Sequence, residues 1–239
     1  MHKPEDVFAS ICPLLEVRLF LYDIVRCTFM HEPTKAYLDN LQKTVTVEFP
    51  FQQESEYIDE GVKQVTAFMA KHDVLSECVF DSLHWDYTRL FIGPYELPAP
   101  PWESVYCNEE RLLFQKETRE VRKAYLKYAF LPVEFDSEAD DHLGLELDFM
   151  FRLNSLAIEA VEQKNLKVLK QILADQKLFL EDHLMKWVPA LCNDIIKSAH
   201  TEFYQGMAKI LHGFLILELK AMAELLGIVH CGEENNEFN

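Results

Sequence analysis

The sequence RLFIGPYELPAPPWESVY, residues 89–106, interrupts a chain whose other segments have a mainly helical pattern. We call this segment the strap. It contains four of the chain's 10 prolines and several large rings: Phe91, Tyr95, Trp102 and Tyr106. Proline holds φ near −65° and biases the residue before it toward an extended conformation. We therefore expect the strap to be non-helical and to cross the helices with its rings at fixed spacing.

The rings of the strap have two interpretations. In the first, Phe91, Trp102 and Tyr106 are core residues, because most large aromatic side chains in folded proteins are buried. In the second, the strap forms one wall of a groove that receives an apolar peptide, since stiff aromatic side chains provide contact area at a low entropic cost. The residues alone leave both interpretations open.

Apolar residues elsewhere recur at steps of three and four, as expected for amphipathic helices. The final helix has the clearest stripe: Phe203, Met207, Ile210, Phe214, Leu217, Ala221 and Leu225. Pro13 can open a helix, Asn108 can cap a helix that runs to about Phe130, and Pro189 is expected to end one. The alternating run at residues 44–51 has no neighbouring partner and is expected to be an extended linker. The predicted fold class is all-α, a globular multi-helix bundle.

The acidic segment LPVEFDSEADD, residues 131–141, is the best candidate for a boundary within the chain. Pro132 should stop a helix, and either Asp140 or Asp141 can cap the next one. We expect an N-terminal helical subdomain at 1–131 that includes the strap, a hinge at 132–141 and a C-terminal helical subdomain at 142–231. The polar tail at 232–239 is expected to be disordered.

Composition restricts the class of partner. The chain has 239 residues, with 40 Asp and Glu against 23 Lys and Arg and a formal net charge of −17. Such a surface repels nucleic acid and anionic lipid and attracts a basic peptide. The same acidity could instead serve only to keep the protein soluble. The 7 glycines form no phosphate-binding loop, and the six cysteines form no metal-binding pattern. We predict no cofactor, no metal, no membrane span and a cytoplasmic location.

Several motifs resemble the TorD/DmsD family of cytoplasmic chaperones for molybdoenzyme maturation, to which NarJ-type chaperones are more distantly related. The strap motif is the longest of them, with YTRLFIGP at 87–94 followed by LPAPPWESVY at 97–106. It is joined by EADDH at 138–142, QKLFLEDHLMKWVP at 176–189 and FYQG at 203–206, so the resemblance spans about residues 80–226 in the family's order.

The chain departs from the family pattern at three places. Ala139 stands where a proline commonly precedes the acidic pair, and Tyr87 stands where a tryptophan is frequent. Asn108 and Glu109 stand where some members have Asp-Arg, so a nucleotide contact by that arginine is not carried over.

The resemblance implies a binding protein of TorD/DmsD-type fold rather than an enzyme. Its expected partners are the twin-arginine signal peptide and the apo form of a catalytic subunit of the dimethyl sulfoxide reductase superfamily, held until cofactor insertion and export. The translocase is a further candidate partner, and the chaperone is expected to be a monomer or a domain-exchanged dimer. The alternatives are a GTP-binding or GTP-hydrolysing protein and an assembly factor for a molybdoenzyme subunit that is not exported.

The candidate site combines the strap with the acidic motif. Its predicted peptide- and partner-binding residues are Tyr87, Leu90, Phe91, Gly93, Pro94, Pro101, Trp102, Ser104, Tyr106, Asp141 and His142. The apolar side chains would bury the hydrophobic part of the peptide, and Asp141 would pair with its arginines. Asp141 and His142 lack the third member that a catalytic triad or a metal site needs, so we expect capping and partner contact rather than catalysis.

Overall fold

The computed structural model describes residues 4–45, 49–131 and 138–237. Its α-helices are α1 (Pro4–Met30), α2 (Lys35–Val45), α3 (Glu56–Lys71), α4 (Glu77–Tyr87), α5 (Glu103–Cys107), α6 (Lys116–Lys127), α7 (Leu143–Glu162), α8 (Leu166–Phe179), α9 (Met185–Ser198) and α10 (Glu202–Glu237). Two π-helical turns, Thr88–Ile92 and Leu180–Leu184, extend α4 and α8. These ranges contain no strand, so the prediction of an all-α fold is confirmed.

The long helix α10 lies at the centre of the bundle, where it packs against α1, α3, α8 and α9, while α1 also packs along α7. Helices α3 and α10 approach each other closely at Gly61 and Gly206. A Cβ atom at Gly61 would lie 2.6 Å from the carbonyl oxygen of Gly206, so this crossing requires glycine. The close contact brings the N-terminal half of α10 into the core.

A buried polar network ties four helices together. Arg18 of α1 is fully buried, and its guanidinium donates to the carboxylate of Glu218 on α10 at 2.8 Å. The same group donates to Asn154 of α7 at 2.7 Å and to Gln176 of α8 at 3.2 Å. Tyr22 adds a 2.6 Å hydrogen bond to Glu218. An ion pair in this position needs such additional partners, because its charges have lost their hydration.

The division into two subdomains stays a prediction, and residues 132–137 of the proposed hinge lie outside the described residues. Side chains from both sides of the hinge form one hydrophobic core; Leu15 of α1 and Leu147 of α7 both belong to it. Residues 46–48 of the alternating run are also outside the described ranges. At the C-terminus, α10 ends at Glu237, and the disorder expected for residues 232–239 stays a prediction.

Two prolines do not mark helix ends. Pro13 lies inside α1, where buried Ile11 and Leu15 on either side of it hold the helix against the core. Pro189 lies inside α9, shortly after the π-helical turn Leu180–Leu184. A proline removes one backbone hydrogen bond from a helix, and here the burial of the neighbouring turns outweighs that loss.

The helix expected from Asn108 begins later, at Lys116. The Asn108 side chain instead closes a loop by accepting a 3.0 Å hydrogen bond from the backbone N–H of Leu112. Arg111 and Phe114 have φ values of 53° and 60°, which interrupt any helix through this loop. Throughout the described residues, no helix is both long and apolar enough to cross a bilayer.

Candidate functional site

The strap is extended only in its middle. The chain leaves α4 through the π-helical turn Thr88–Ile92, reverses at Gly93, where φ is 99°, and enters α5 at Glu103. The expectation that all of residues 89–106 would be non-helical is therefore wrong at both ends. The prolines lie between residues 94 and 101, and their restriction of φ does not extend into the flanking turns.

Hydrogen bonds attach the second half of the strap to the segment that leads into α7. Leu143 donates its N–H to the carbonyl oxygen of Pro101 at 2.8 Å, and Glu103 donates to the carbonyl oxygen of Asp141 at 3.0 Å. The Asp141 carboxylate also accepts the N–H of Ser104 at 2.8 Å. Asp141 is fully buried, and through these two hydrogen bonds it holds the strap against the start of α7.

A cleft of about 500 Å³ opens between the strap and the end of α1. We call it the client cleft. One wall is made by Tyr87, the last residue of α4, and by three strap residues: Phe91, Ile92 and Trp102. The opposite wall is the segment 30–34, and Glu138 and His142 complete the lining. The groove interpretation of the strap thus has a cavity to support it.

The rings of this wall differ in burial. Tyr87 and Phe91 are almost fully buried and lie 4.9 Å apart between ring centroids, so they form the base of the cleft. Trp102 is half-buried, and Ile92 is 56% exposed at the mouth. The core interpretation and the groove interpretation therefore each describe some of the strap residues, because the strap contributes both to the core and to the cavity wall.

Of the predicted site residues, Tyr87, Phe91, Trp102 and His142 meet in the client cleft. The other predicted residues have different surroundings. Leu90, Pro101, Ser104 and Asp141 are buried, Gly93 forms the turn, and Pro94 is exposed. Tyr106 is half-buried and faces α9, where its hydroxyl donates to Asp194 at 3.0 Å and its ring packs on Trp187 at 5.7 Å.

Two carboxylates that the sequence reasoning missed line the client cleft. Glu138 accepts a 2.8 Å hydrogen bond from the indole N–H of Trp102. Glu32 accepts a hydrogen bond from the hydroxyl of Thr88 at 3.3 Å and lies 3.2 Å from Nδ1 of His84. Glu138 is the first residue of the EADDH motif, so the sequence did contain a pattern that could have identified it. Glu32, which immediately precedes Pro33, showed no pattern that pointed to a site.

His142, rather than Asp140 or Asp141, caps α7. Its Nδ1 accepts a 3.1 Å hydrogen bond from the N–H of Gly144. Burial lowers the pKa of His142 to about 4, so the ring is neutral at pH 7 and its Nδ1 is free to accept. A Cβ atom at Gly144 would lie 2.6 Å from the Cα atom of Met30, so glycine lets the end of α1 approach the start of α7 beside the cleft.

Glu103 of the strap belongs to a group of buried acidic residues that also includes Asp141 and Glu146. Glu103 bonds to Nδ1 of His183 at 2.8 Å, and Glu146 accepts a 3.2 Å hydrogen bond from the indole N–H of Trp187. Burial raises the pKa of Glu146 well above its usual value, and the neighbouring Glu103 and Asp141 raise it further. Within the ranges that the structure describes, no group of three or more His, Cys, Asp or Glu side chains is arranged to hold a metal ion.

Comparison with known proteins places the strap and the acidic motif inside a matched region. Residues 55–193 match the family model described as nitrate reductase delta subunit. A chaperone protein TorD of Aliivibrio salmonicida is 26% identical over 221 residues, covering 87% of this chain and 95% of the relative. TorD of Aliivibrio fischeri is 24% identical over 189 residues, covering 79% and 81% of the two chains. The Tat proofreading chaperone DmsD of Salmonella typhi is 32% identical over 131 residues, covering 54% and 57%.

Proposed function

Because the chain belongs to the TorD/DmsD family of chaperones, within the nitrate reductase delta subunit model, we propose that its client cleft binds a twin-arginine signal peptide. The peptide would belong to the apo form of a molybdoenzyme catalytic subunit. The chaperone would act in the cytoplasm and hold this client until its cofactor is inserted and it is exported. The observation that carries the proposal is a cavity with strap rings on one wall and two carboxylates among its lining residues.

The apolar part of such a peptide would pack on Phe91, Ile92 and Trp102. Burial of about 400 Å² of apolar peptide surface contributes on the order of 10 kcal/mol before ordering costs, at roughly 25 cal/mol per Å². Ordering an extended peptide removes much of that free energy, so we expect a dissociation constant on the order of micromolar. An affinity of this size suits a chaperone that must later release its client.

The arginines of the peptide would pair with Glu32 and Glu138. Both carboxylates line the client cleft, whereas Asp141 is fully buried and already accepts the N–H of Ser104. Hydrogen bonds between a guanidinium and a carboxylate are charge-assisted and roughly twice as strong as neutral ones. We therefore transfer the arginine-binding role that the sequence suggested for Asp141 to these two glutamates.

Replacement of Trp102 by alanine is expected to weaken signal-peptide binding about tenfold or more, because buried aromatic anchors dominate peptide interfaces. Calorimetric titration of the whole chain with a synthetic twin-arginine signal peptide measures this change. The matched control is Trp85→Ala. Trp85 is 64% exposed on α4 and is not among the lining residues of the cleft. Equal affinities for the two variants would contradict the assignment of the cleft.

Replacement of Glu138 by glutamine is expected to weaken binding and to flatten its dependence on salt concentration, because one charge pair is lost. Titrations at low and high salt give the two slopes. Asp141→Asn is the matched comparison: if Asp141 only holds the strap, this variant keeps the wild-type salt slope. The opposite pattern, a flatter slope for Asp141→Asn alone, would return the arginine-binding role to Asp141.

A further inference from the structure

A second, smaller cavity of about 210 Å³ lies on another part of the molecule, between α6, α7 and the end of α8. We call it the second pocket. Its apolar lining is contributed by Ala124, Tyr128, Phe149, Leu178 and Phe179. Its lining and that of the client cleft, as described, share no residue. The proposed function makes no use of the second pocket.

The floor of the second pocket is aromatic. Phe149 and Phe179 are almost fully buried, and their ring centroids are 5.0 Å apart. Tyr128 lies 6.0 Å from Phe149, and His183 lies 4.7 Å from Phe179. A dry, apolar protein cavity of about 150 Å³ admits a benzene molecule. The second pocket is therefore large enough for one aromatic side chain, and its floor provides the edges and faces that such a ring prefers.

The lining of the second pocket is also acidic. Glu120, Asp175 and Asp182 line it together with a single lysine, Lys127, which lies 2.6 Å from Asp175. The side chains of Glu120 and Asp182 are 41% and 52% exposed. Their ion pairs lie on the surface within one helical turn, where such pairs contribute little. An incoming cation can therefore compete for both carboxylates.

The mouth of the second pocket carries an exposed apolar residue. Leu178 lines the pocket and is 57% exposed, so it extends the apolar floor toward solvent. An apolar hollow with an exposed leucine and an acidic lining is complementary to an apolar side chain that has a basic neighbour. A second copy of this chain is a poor occupant, because two surfaces with a formal net charge of −17 repel each other.

We propose that the second pocket binds an aromatic side chain of an extended polypeptide in which a lysine or arginine is adjacent to the aromatic residue. The ring packs on Phe149 and Phe179, and the basic side chain pairs with Glu120 or Asp182. The contact is independent of the client cleft. Its test therefore does not require a twin-arginine peptide.

The test uses short fluorescent peptides on a Ser/Gly background and the whole chain. One peptide has a central phenylalanine between two lysines, a second has alanine in place of the phenylalanine, and a third has glutamates in place of the lysines. Fluorescence anisotropy is expected to give about tenfold or more tighter binding for the first peptide than for either of the others. Similar affinities for the phenylalanine and alanine peptides would overturn the proposal.

Two pairs of variants locate the binding. Ala124→Phe fills the pocket and is expected to abolish the preference for phenylalanine, whereas Lys123→Phe puts the same ring on the same helix outside the lining and is expected to keep it. Asp182→Asn is expected to reduce the preference for lysine, and Glu181→Gln to leave it intact. This second pair tests the pocket even if Ala124→Phe does not fold.

Two further outcomes would overturn the proposal. Loss of phenylalanine-peptide binding in Trp102→Ala would mean that the probe occupies the client cleft. Sedimentation velocity that finds a wild-type dimer and a monomeric Ala124→Phe variant would mean that a second copy covers the pocket. If the wild-type chain does not bind the signal peptide but still prefers the phenylalanine peptide, and Ala124→Phe abolishes that preference, only the function proposed for the cleft is contradicted.

Discussion

Replacement of Arg18 by alanine is expected to lower the free energy of unfolding by about 3–5 kcal/mol, the range for breaking a buried ion pair. Arg18 and Glu218 are both buried and are joined at 2.8 Å. Without the guanidinium, the Glu218 carboxylate keeps the hydroxyl of Tyr22 as a hydrogen-bond donor. The side-chain oxygens of Asn154 and Gln176 each lose the N–H donor that Arg18 supplies. Urea denaturation followed by circular dichroism measures the loss.

Two variants separate this effect from a general loss of charge. Lys63→Ala removes a surface ion pair with Asp59 on α3 and is expected to cost much less stability, because surface ion pairs contribute little. The double variant Arg18→Met with Glu218→Leu removes both charges and is expected to recover much of the stability that Arg18→Ala loses. An Arg18→Ala variant as stable as Lys63→Ala would show that the network contributes little.

Replacement of Glu146 by glutamine is expected to remove a pH dependence of stability. The pKa of Glu146 is raised in the folded chain, mainly by burial and then by Glu103 and Asp141. A raised carboxyl pKa gives a contribution that is complete below the unfolded value, about 4.3–4.5, and is lost as the pH rises toward the folded value. In that window the wild type should lose up to roughly 1.4 kcal/mol per pH unit from this group.

Glutamine preserves the shape of a protonated glutamate. Its carbonyl oxygen can accept from the indole of Trp187, as Glu146 does at 3.2 Å. Thermal or urea unfolding from pH 5 to 8 should therefore show the variant gaining stability over the wild type as the pH rises. Glu159→Gln, on the exposed side of the same helix, is the control and should follow the wild-type profile. Parallel profiles for the wild type and Glu146→Gln would contradict a protonated Glu146.

His142 contributes a pH dependence of stability that has the opposite sign to that of Glu146. Its pKa, lowered to about 4 by burial, means that the unfolded chain binds more protons than the folded chain between about pH 4 and 6.5. Stability from this residue is therefore lost as the pH falls through that range. The comparison of Glu146→Gln with the wild type cancels this term, because His142 is present in both proteins.

The fold class and the family followed from patterns that are local in the chain. Apolar steps of three and four predict helices because a helix repeats every 3.6 residues, whatever it packs against. The strap was recognisable because prolines 94, 98, 100 and 101 act on their own backbone and on the residue before them. The middle of the strap, residues 93–102, has the predicted break in helix, and its Trp102 lines the cleft.

The predictions that failed depended on contacts between distant segments. Pro13 and Pro189 were expected at helix boundaries, but packing of the surrounding turns keeps both inside helices. The arginine-binding role expected for Asp141 stays a prediction; its carboxylate is buried and accepts the N–H of Ser104. Glu32 and Glu138 line the same cleft although they lie far apart in the chain.

Helical periodicity, the proline break and the family motifs can therefore be identified from the sequence alone, because each depends on a few neighbouring residues. Which charged groups become buried is settled when remote helices pack. Arg18 and Glu218 lie 200 positions apart, and no spacing rule links them. Burial changes the free energy of a charge by several kcal/mol, so the roles of Arg18, Asp141 and Glu146 could be assigned only once their neighbours in the folded bundle were known.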